Sequence, residues 1–236
     1  MKQLYILALG LASACASAAA PTGLNVIPTT DIVPDGSWIG GIVNGNTSLT
    51  GNPFYRQPQW QFQSQVSLAP WLEGGIDDAT TPDVDSNTGV FNVKALVMTE
   101  NEWQPNVALG LWNVADHQKP GYYLTMSKTL NYDQQQEERF RAHHRRNRKL
   151  LGIRAHLGMT LDGRGFTQPF TGTDIQLSET AVFQADWVHG SGNVATAGIA
   201  YIFPDGRTVL TPAITFSNDT GRFNGLIIGL THQFNL

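Results

Sequence analysis

The amino-acid sequence predicts an all-β fold, an antiparallel up-and-down transmembrane β-barrel of about twelve strands. Three observations lead there. Residues 224–236, NGLIIGLTHQFNL, place Leu226, Ile228, Leu230, His232, Phe234 and Leu236 on one face and Gly225, Ile227, Gly229, Thr231, Gln233 and Asn235 on the other, because successive strand side chains point to opposite sides. The same two-residue period recurs along the chain, and the length of the connections follows strand parity. The composition also fits: 14% charged residues, 24 glycines in 236 residues and a mean hydropathy of −0.18 suit a Gly-rich β protein. Beyond the N-terminus no apolar run approaches the ~20 residues of a spanning helix, which excludes a multi-pass helical protein.

Residues 1–20 read as a secretory signal peptide: Lys2 as the positive region, Leu4 to Leu11 as the apolar region, and Ala16-Ser17-Ala18 as the cleavage motif. Ala12-Ser13-Ala14-Cys15 offers an alternative, a lipoprotein signal. Cys15 is the one cysteine of the chain, so cleavage leaves no disulfide or thiol chemistry. Residues 21–36 form an extended lead-in, whose three prolines forbid a central strand, ending in a turn at Pro34-Asp35-Gly36.

Residues 37–236 supply the barrel. A short Gly-rich first strand covers Ser37 to Asn44. In the second, Gln59, Gln61, Gln63, Gln65 and Ser67 alternate with Trp60, Phe62, Ser64, Val66 and Leu68, a pattern with almost no helical reading. The third starts after Ala69-Pro70 and sets Leu72, Gly74 and Ile76 against Glu73, Gly75 and Asp77. Alternation continues around Phe91–Met98, Val107–Trp112, Tyr122–Ser127, Leu151–Thr160, Thr171–Leu177, Ala181–Val188, Ala195–Phe203 and Val209–Phe216. Links after even-numbered strands include the tight turns Ala69-Pro70, Ser178-Glu179-Thr180 and Pro204-Asp205-Gly206; links after odd-numbered strands, such as Gly45 to Arg56 and Asp78 to Thr88, are longer and polar. Short periplasmic turns and long outer loops give this asymmetry; a soluble sandwich gives no reason for it. Aromatics near predicted strand ends, Trp60, Trp71, Trp187, Tyr122, Tyr201 and Phe234 among them, match interfacial girdles.

Two groups of candidate functional residues follow. Glu73, Asp77, Lys94, Arg154, His156, Asp174 and Asp186 fall on the polar faces near mid-strand, where they line a narrow lumen, either filling it or bordering a path. The link after the sixth strand breaks the length rule. Residues 131–149, NYDQQQEERFRAHHRRNRK, have helical composition and carry six cations, Arg139, Arg141, Arg145, Arg146, Arg148 and Lys149. They read either as a solvated excursion or as an anion-binding patch for phosphorylated lipid headgroups or polysaccharide; nucleic acid is not an expected partner of an exported, acidic chain. No G-x-S-x-G elbow, H-E-x-x-H or P-loop is present, and no cofactor or metal is expected. His156 shares a polar-face row with Arg154 and is suited to acid–base work; a Ser or Asp within hydrogen-bond reach of His156 or His189 at the membrane-facing rim is the feature that would indicate an enzyme.

The terminal strand is similar to the assembly signal of bacterial outer-membrane β-barrels, although Phe234 stands two residues before the end. Pro21-Thr22-Gly23-Leu24 … Ile27-Pro28-Thr29 and Trp71-Leu72-Glu73-Gly74-Gly75-Ile76-Asp77 also resemble the YjbH-like barrels associated with exopolysaccharide export. The resemblance implies an outer-membrane location, the lipid, lipopolysaccharide and barrel assembly machinery as partners, and a passive channel or envelope component linked to polysaccharide. The alternatives are an outer-membrane enzyme acting on lipid or glycan, and a secreted soluble β-sandwich that binds glycan.

Overall fold

A computed structural model of the chain describes residues 24, 27–46, 59–80, 89–112, 121–130, 152–161, 167–191 and 193–236. The predicted signal peptide and the basic stretch 131–149 lie outside the described residues.

Twelve strands form one closed sheet: β1 (Ser37–Asn46), β2 (Gln59–Ala69), β3 (Leu72–Thr80), β4 (Gly89–Met98), β5 (Asn106–Trp112), β6 (Gly121–Thr129), β7 (Ile153–Leu161), β8 (Thr167–Gln176), β9 (Ala181–Val188), β10 (Val194–Ile202), β11 (Thr208–Ser217) and β12 (Phe223–Asn235). Each strand pairs antiparallel with its sequence neighbours, and β1 closes the sheet on β12 from Ser37↔Asn235 to Asn46↔Leu226. Closure removes both sheet edges, so the backbone is hydrogen-bonded all round, as a spanning structure in lipid requires.

The sheet is apolar outside and polar inside. Phe62 (47% exposed), Ile228 (49%) and Leu230 (45%) stand on the outer surface, with Leu157, Met159, Ile199 and Ile214. Gln63 and Gln65, the other face of β2, are buried. Water would not tolerate an apolar surface of this extent; lipid does, and this is a transmembrane β-barrel. A soluble sandwich with its apolar faces turned inward is thereby excluded. Arginine in place of Ile228, mid-strand in β12, is expected to destabilise the barrel by about 2–4 kcal/mol, and in place of Phe234, near the strand end, by ~0–1 kcal/mol. Urea unfolding in lipid vesicles reads the difference; equal costs at the two sites would contradict a lipid-facing band.

Several strand ends differ from the sequence reading, and two have a clear physical reason. β8 begins at Thr167, within the stretch assigned to a loop, and Pro169 is part of it, paired with Met159. Proline lacks only its donor: the Pro169 carbonyl still accepts the His189 N–H at 2.9 Å. β3 extends past Asp77 to Thr80, because the ladder with β2 continues to Trp60↔Thr80.

The links after β2, β4, β8 and β10 share one end of the barrel with Ser37 and Asn235. The β10–β11 turn shows how the short ones are made. Gly206 takes φ +65°, a left-handed conformation natural to glycine. The Asp205 carboxylate accepts the Thr208 hydroxyl at 2.5 Å and the Arg207 and Thr208 N–H groups at 2.9 Å each, and these bonds lower its pKa to about 2. The β6–β7 connection emerges at this same end.

Candidate functional site

The lumen is occupied by the chain's own lead-in. The turn before β1 is closed by the Ser37 N–H bonding to the Pro34 carbonyl (3.0 Å), with Gly36 at φ +67°. It reverses the chain, so that the residues ahead of it run back up inside the barrel. Val33 packs against Ile39, Val182, Ala200 and Val209 of β1, β9, β10 and β11. Its N–H donates to Glu73 Oε2 of β3 at 2.8 Å. Asp31 and Thr30 meet β7, where Arg154 Nη1 donates to Asp31 Oδ1 at 2.6 Å and Nη2 to Thr30 Oγ1 at 2.9 Å. The Thr30 N–H points at Ser127 Oγ (3.4 Å), and the Pro28 carbonyl accepts the Thr125 hydroxyl (3.1 Å), both on β6. Leu24 and Ile27 pack on Phe170 and Val188, toward the far ends of β8 and β9. Contacts on opposite walls put residues 27–33 in the middle of the barrel.

A proline-rich segment suits this position. Beyond an isolated bridge at Pro28 it forms no strand, yet its backbone must be satisfied once buried. Wall side chains do that where a neighbouring strand would otherwise. Within the segment, the Thr29 hydroxyl donates to Asp31 Oδ2 (2.7 Å), aligning the other carboxylate oxygen for Arg154.

The structure places all seven polar-face candidates on the inner wall, in two layers. Near the end where the chain enters lie Glu73, Lys94, Arg154, His156 and Asp174. Lys94 Nζ is 3.1 Å from Glu73 Oε1, and both side chains are essentially inaccessible. Ser127 Oγ is 2.8 Å from His156 Nδ1, and His156 Nε2 is 2.9 Å from Asp174 Oδ2. His156 is thus held at both ring nitrogens, between Ser127 Oγ and Asp174 Oδ2. Higher up, Asp77 accepts Asn92 Nδ2 (2.5 Å) and Gln65 Nε2 (3.2 Å), and Asp186 accepts the Thr196 hydroxyl (2.5 Å). Asp77 thus points into the lumen. Arg139, Arg141, Arg145, Arg146, Arg148 and Lys149 fall outside the described residues.

The Ser127–His156–Asp174 line has the distances of a nucleophile, base and orienting carboxylate. Ser127 and His156 are fully buried, Thr30 covers the hydroxyl, and the surrounding strand N–H groups belong to the β6–β7 and β7–β8 ladders, so among the described residues no backbone N–H of these strands is aimed at an oxyanion. Its visible work is to hold Thr30. Asp31, Thr30, Ser127, Gln65 and Asn92 were not singled out by the sequence. Parity places the wall residues inward, but nothing local marks Asp31 as the partner of Arg154, 123 positions away.

Fold and site together define a transmembrane β-barrel with a polar lumen filled by its own N-terminal segment. No protein-family model matches the chain, and no curated protein matches it. Among solved structures it is similar to the KdgM porin, with 10% identity, a TM-score of 0.50, and coverage of 84% of this chain and 99% of that one. It is likewise similar to the KdgM porin in complex with disordered oligogalacturonate, with 9% identity, a TM-score of 0.53 and the same coverage. At such identity the likeness is one of fold. It gives no support to the resemblance to YjbH-like barrels; of the residues Trp71 to Asp77 that contributed to it, Trp71 lies in the β2–β3 turn and Leu72 to Asp77 start β3 and carry two lumenal carboxylates.

Proposed function

We propose that the protein is an outer-membrane channel for small hydrophilic solutes, of oligosaccharide size or below, held shut by residues 27–33 in its resting form. The observation that carries this reading is a lumen walled by amide, hydroxyl and charged side chains, Gln63, Gln65, Asn92, Gln184, Thr196 and Gln233 among them, and filled by a segment that side chains and one isolated bridge at Pro28 hold, with no strand ladder. Such side chains exchange hydrogen bonds with sugar hydroxyls as readily as with water. The oligogalacturonate of the KdgM complex makes saccharides the first solutes to test. The predicted signal peptide and the apolar band support the outer membrane as location, with assembly by the barrel machinery of that membrane. The basic stretch 131–149 belongs to the link between β6 and β7, whose strand ends lie at the same end of the barrel as Ser37 and Asn235, the side of the short turns, which is the periplasmic side in an outer-membrane barrel. Anionic phospholipid headgroups are therefore its fitting partner, rather than lipopolysaccharide.

The test is fractionation and a heat-modifiability gel, then single-channel recording of the full chain in planar bilayers. The protein is expected in the outer membrane, with rare brief openings that become sustained when the inner segment is loosened by Asp31→Ala. Absence of any conductance step in both forms would end the channel reading.

A further inference from the structure

One row of the inner wall runs across five adjacent strands. The ladders set Asn92 of β4 beside Gly75 of β3, Gly75 beside Gln65 of β2, Gln65 beside Ile39 of β1, and Ile39 beside Gln233 of β12. Each of the three amides is oriented through its NH2 group. Gln65 Nε2 (3.2 Å) and Asn92 Nδ2 (2.5 Å) donate to the Asp77 carboxylate, which can only accept, and Gln233 Nε2 donates to Ser37 Oγ (2.9 Å). Their oxygens are thereby left over: Gln65 Oε1, Asn92 Oδ1 and Gln233 Oε1 meet no donor among the described residues. All three side chains are more than nine-tenths buried. Buried acceptors of this kind are costly and call for an occupant that brings donors. Gly75 makes the room, since a Cβ there would collide with the Gln65 amide.

The middle of the row is apolar, and the lead-in already sits on it. Ile39 joins Val182, Ala200 and Val209 of β9, β10 and β11 in one patch, and Val33 packs against it. Val33 is 1% exposed, and its N–H is given to Glu73 rather than to the amides. The seat therefore has an apolar floor with hydrogen-bond acceptors on both flanks, and Val33 satisfies the floor alone. A sugar ring combines both halves: its C–H faces suit the floor, and the hydroxyls around its rim donate to the flanks. Lys94, beside this row on β4, is matched by Glu73, so the seat favours an uncharged ring over one that carries a carboxylate.

We propose that this row is a subsite for an uncharged sugar ring, which replaces Val33 when the lead-in is out. The ring lies on Ile39 and Val209, and its hydroxyls donate to Gln65, Asn92 and Gln233. Sugar and segment exclude each other, so a bound sugar holds the channel open. This inference rests on the channel reading and narrows it to a solute class, and the test separates the two. Currents are recorded from the full chain with Asp31→Ala in planar bilayers, with either maltotriose or a polyethylene glycol of the same mass added. The polymer has C–H groups and ether oxygens but almost no donors. Maltotriose is expected to interrupt the current with blocks at least about ten times longer than those of the polymer. Gln65→Met and Gln233→Met should each shorten the sugar blocks about three- to tenfold, the worth of one hydrogen bond between neutral groups, and leave the polymer blocks unchanged. Either substitution suffices if the other fails to assemble. With the parent chain, opening bursts should about double in length at the half-blocking maltotriose concentration, because the segment cannot reseat past a bound sugar. Equal block times for sugar and polymer, or sugar blocks indifferent to both Gln→Met changes, overturn the subsite and leave the channel standing. Bursts that do not lengthen overturn the exclusion of Val33 by the sugar. A barrel that conducts in neither form removes both readings.

Discussion

Replacing Asp31 by alanine is expected to convert a largely closed barrel into a conducting one. The Asp31–Arg154 contact, at 2.6 Å, joins the inner segment to the wall through side chains only 14% and 11% exposed. Removing one partner of a buried ion pair costs about 3–5 kcal/mol, mostly because the other charge is left without compensation. Here the protein can escape that cost. If the segment leaves, water reaches Arg154, so the penalty falls on the closed state. The closed-to-open ratio should therefore drop by roughly a hundred- to a few thousand-fold. Arg154→Ala should act in the same direction by stranding Asp31. The charge swap Asp31→Arg with Arg154→Asp should restore closure in part, and the double-mutant cycle isolates the pair from the rest of the lumen. Single-channel open probability is the measurement. An Asp31→Ala protein that opens no more often than its parent would show that the pair does not hold the segment.

The second large effect is expected at Lys94. Its ammonium group is buried against Glu73 at 3.1 Å, and both residues belong to the wall, so the loss falls on the barrel as well as on the lead-in that covers Glu73. Lys94→Ala should destabilise the barrel by about 3–5 kcal/mol, seen as a lower urea midpoint and a lower temperature for the heat-modifiability shift. Replacing both residues by apolar ones of similar volume, Glu73→Leu with Lys94→Met, should recover most of that stability, because an apolar pair carries no desolvation penalty. It should still loosen the lead-in, since the Val33 N–H bonds to Glu73 Oε2 and would lose its acceptor. A cost below about 1 kcal/mol for Lys94→Ala would mean that water already reaches the pair.

The barrel was legible in the sequence because its environment changes sign at every residue. In β12, Leu226, Ile228 and Leu230 face out, and Ile227, Gly229 and Thr231 face in; lipid on one side and a confined lumen on the other print that alternation on the chain. Parity of the turns followed from the same architecture. The start of β8 was less legible: Pro169 reads locally as a strand breaker, and only its place in the ladder, with its carbonyl used and its missing donor tolerated, makes it a strand residue. The inner segment was not legible. Three prolines argue against a central strand over residues 21–36, but the segment's binding partners, Glu73, Ser127 and Arg154, are dispersed over β3, β6 and β7, and no periodicity links them. One hint was available. Leu24, Ile27 and Val33 make the stretch too apolar for a solvated linker, and all three are buried. The same limit applied to the lumen: face could be deduced from alternation, whereas bonding partners depend on which strands become neighbours across the ring.

The short turn at Pro34–Gly36 acts as a leash. A segment joined to β1 through so few residues cannot diffuse away, and its effective concentration at the lumen mouth stays in the millimolar range or above. Reclosure is then unimolecular, indifferent to how many barrels share a membrane. A free peptide copying residues 27–33 would have to reach comparable concentrations to compete. A solute passing through has no such rival to outlast: it needs only to arrive while the leashed stretch is out.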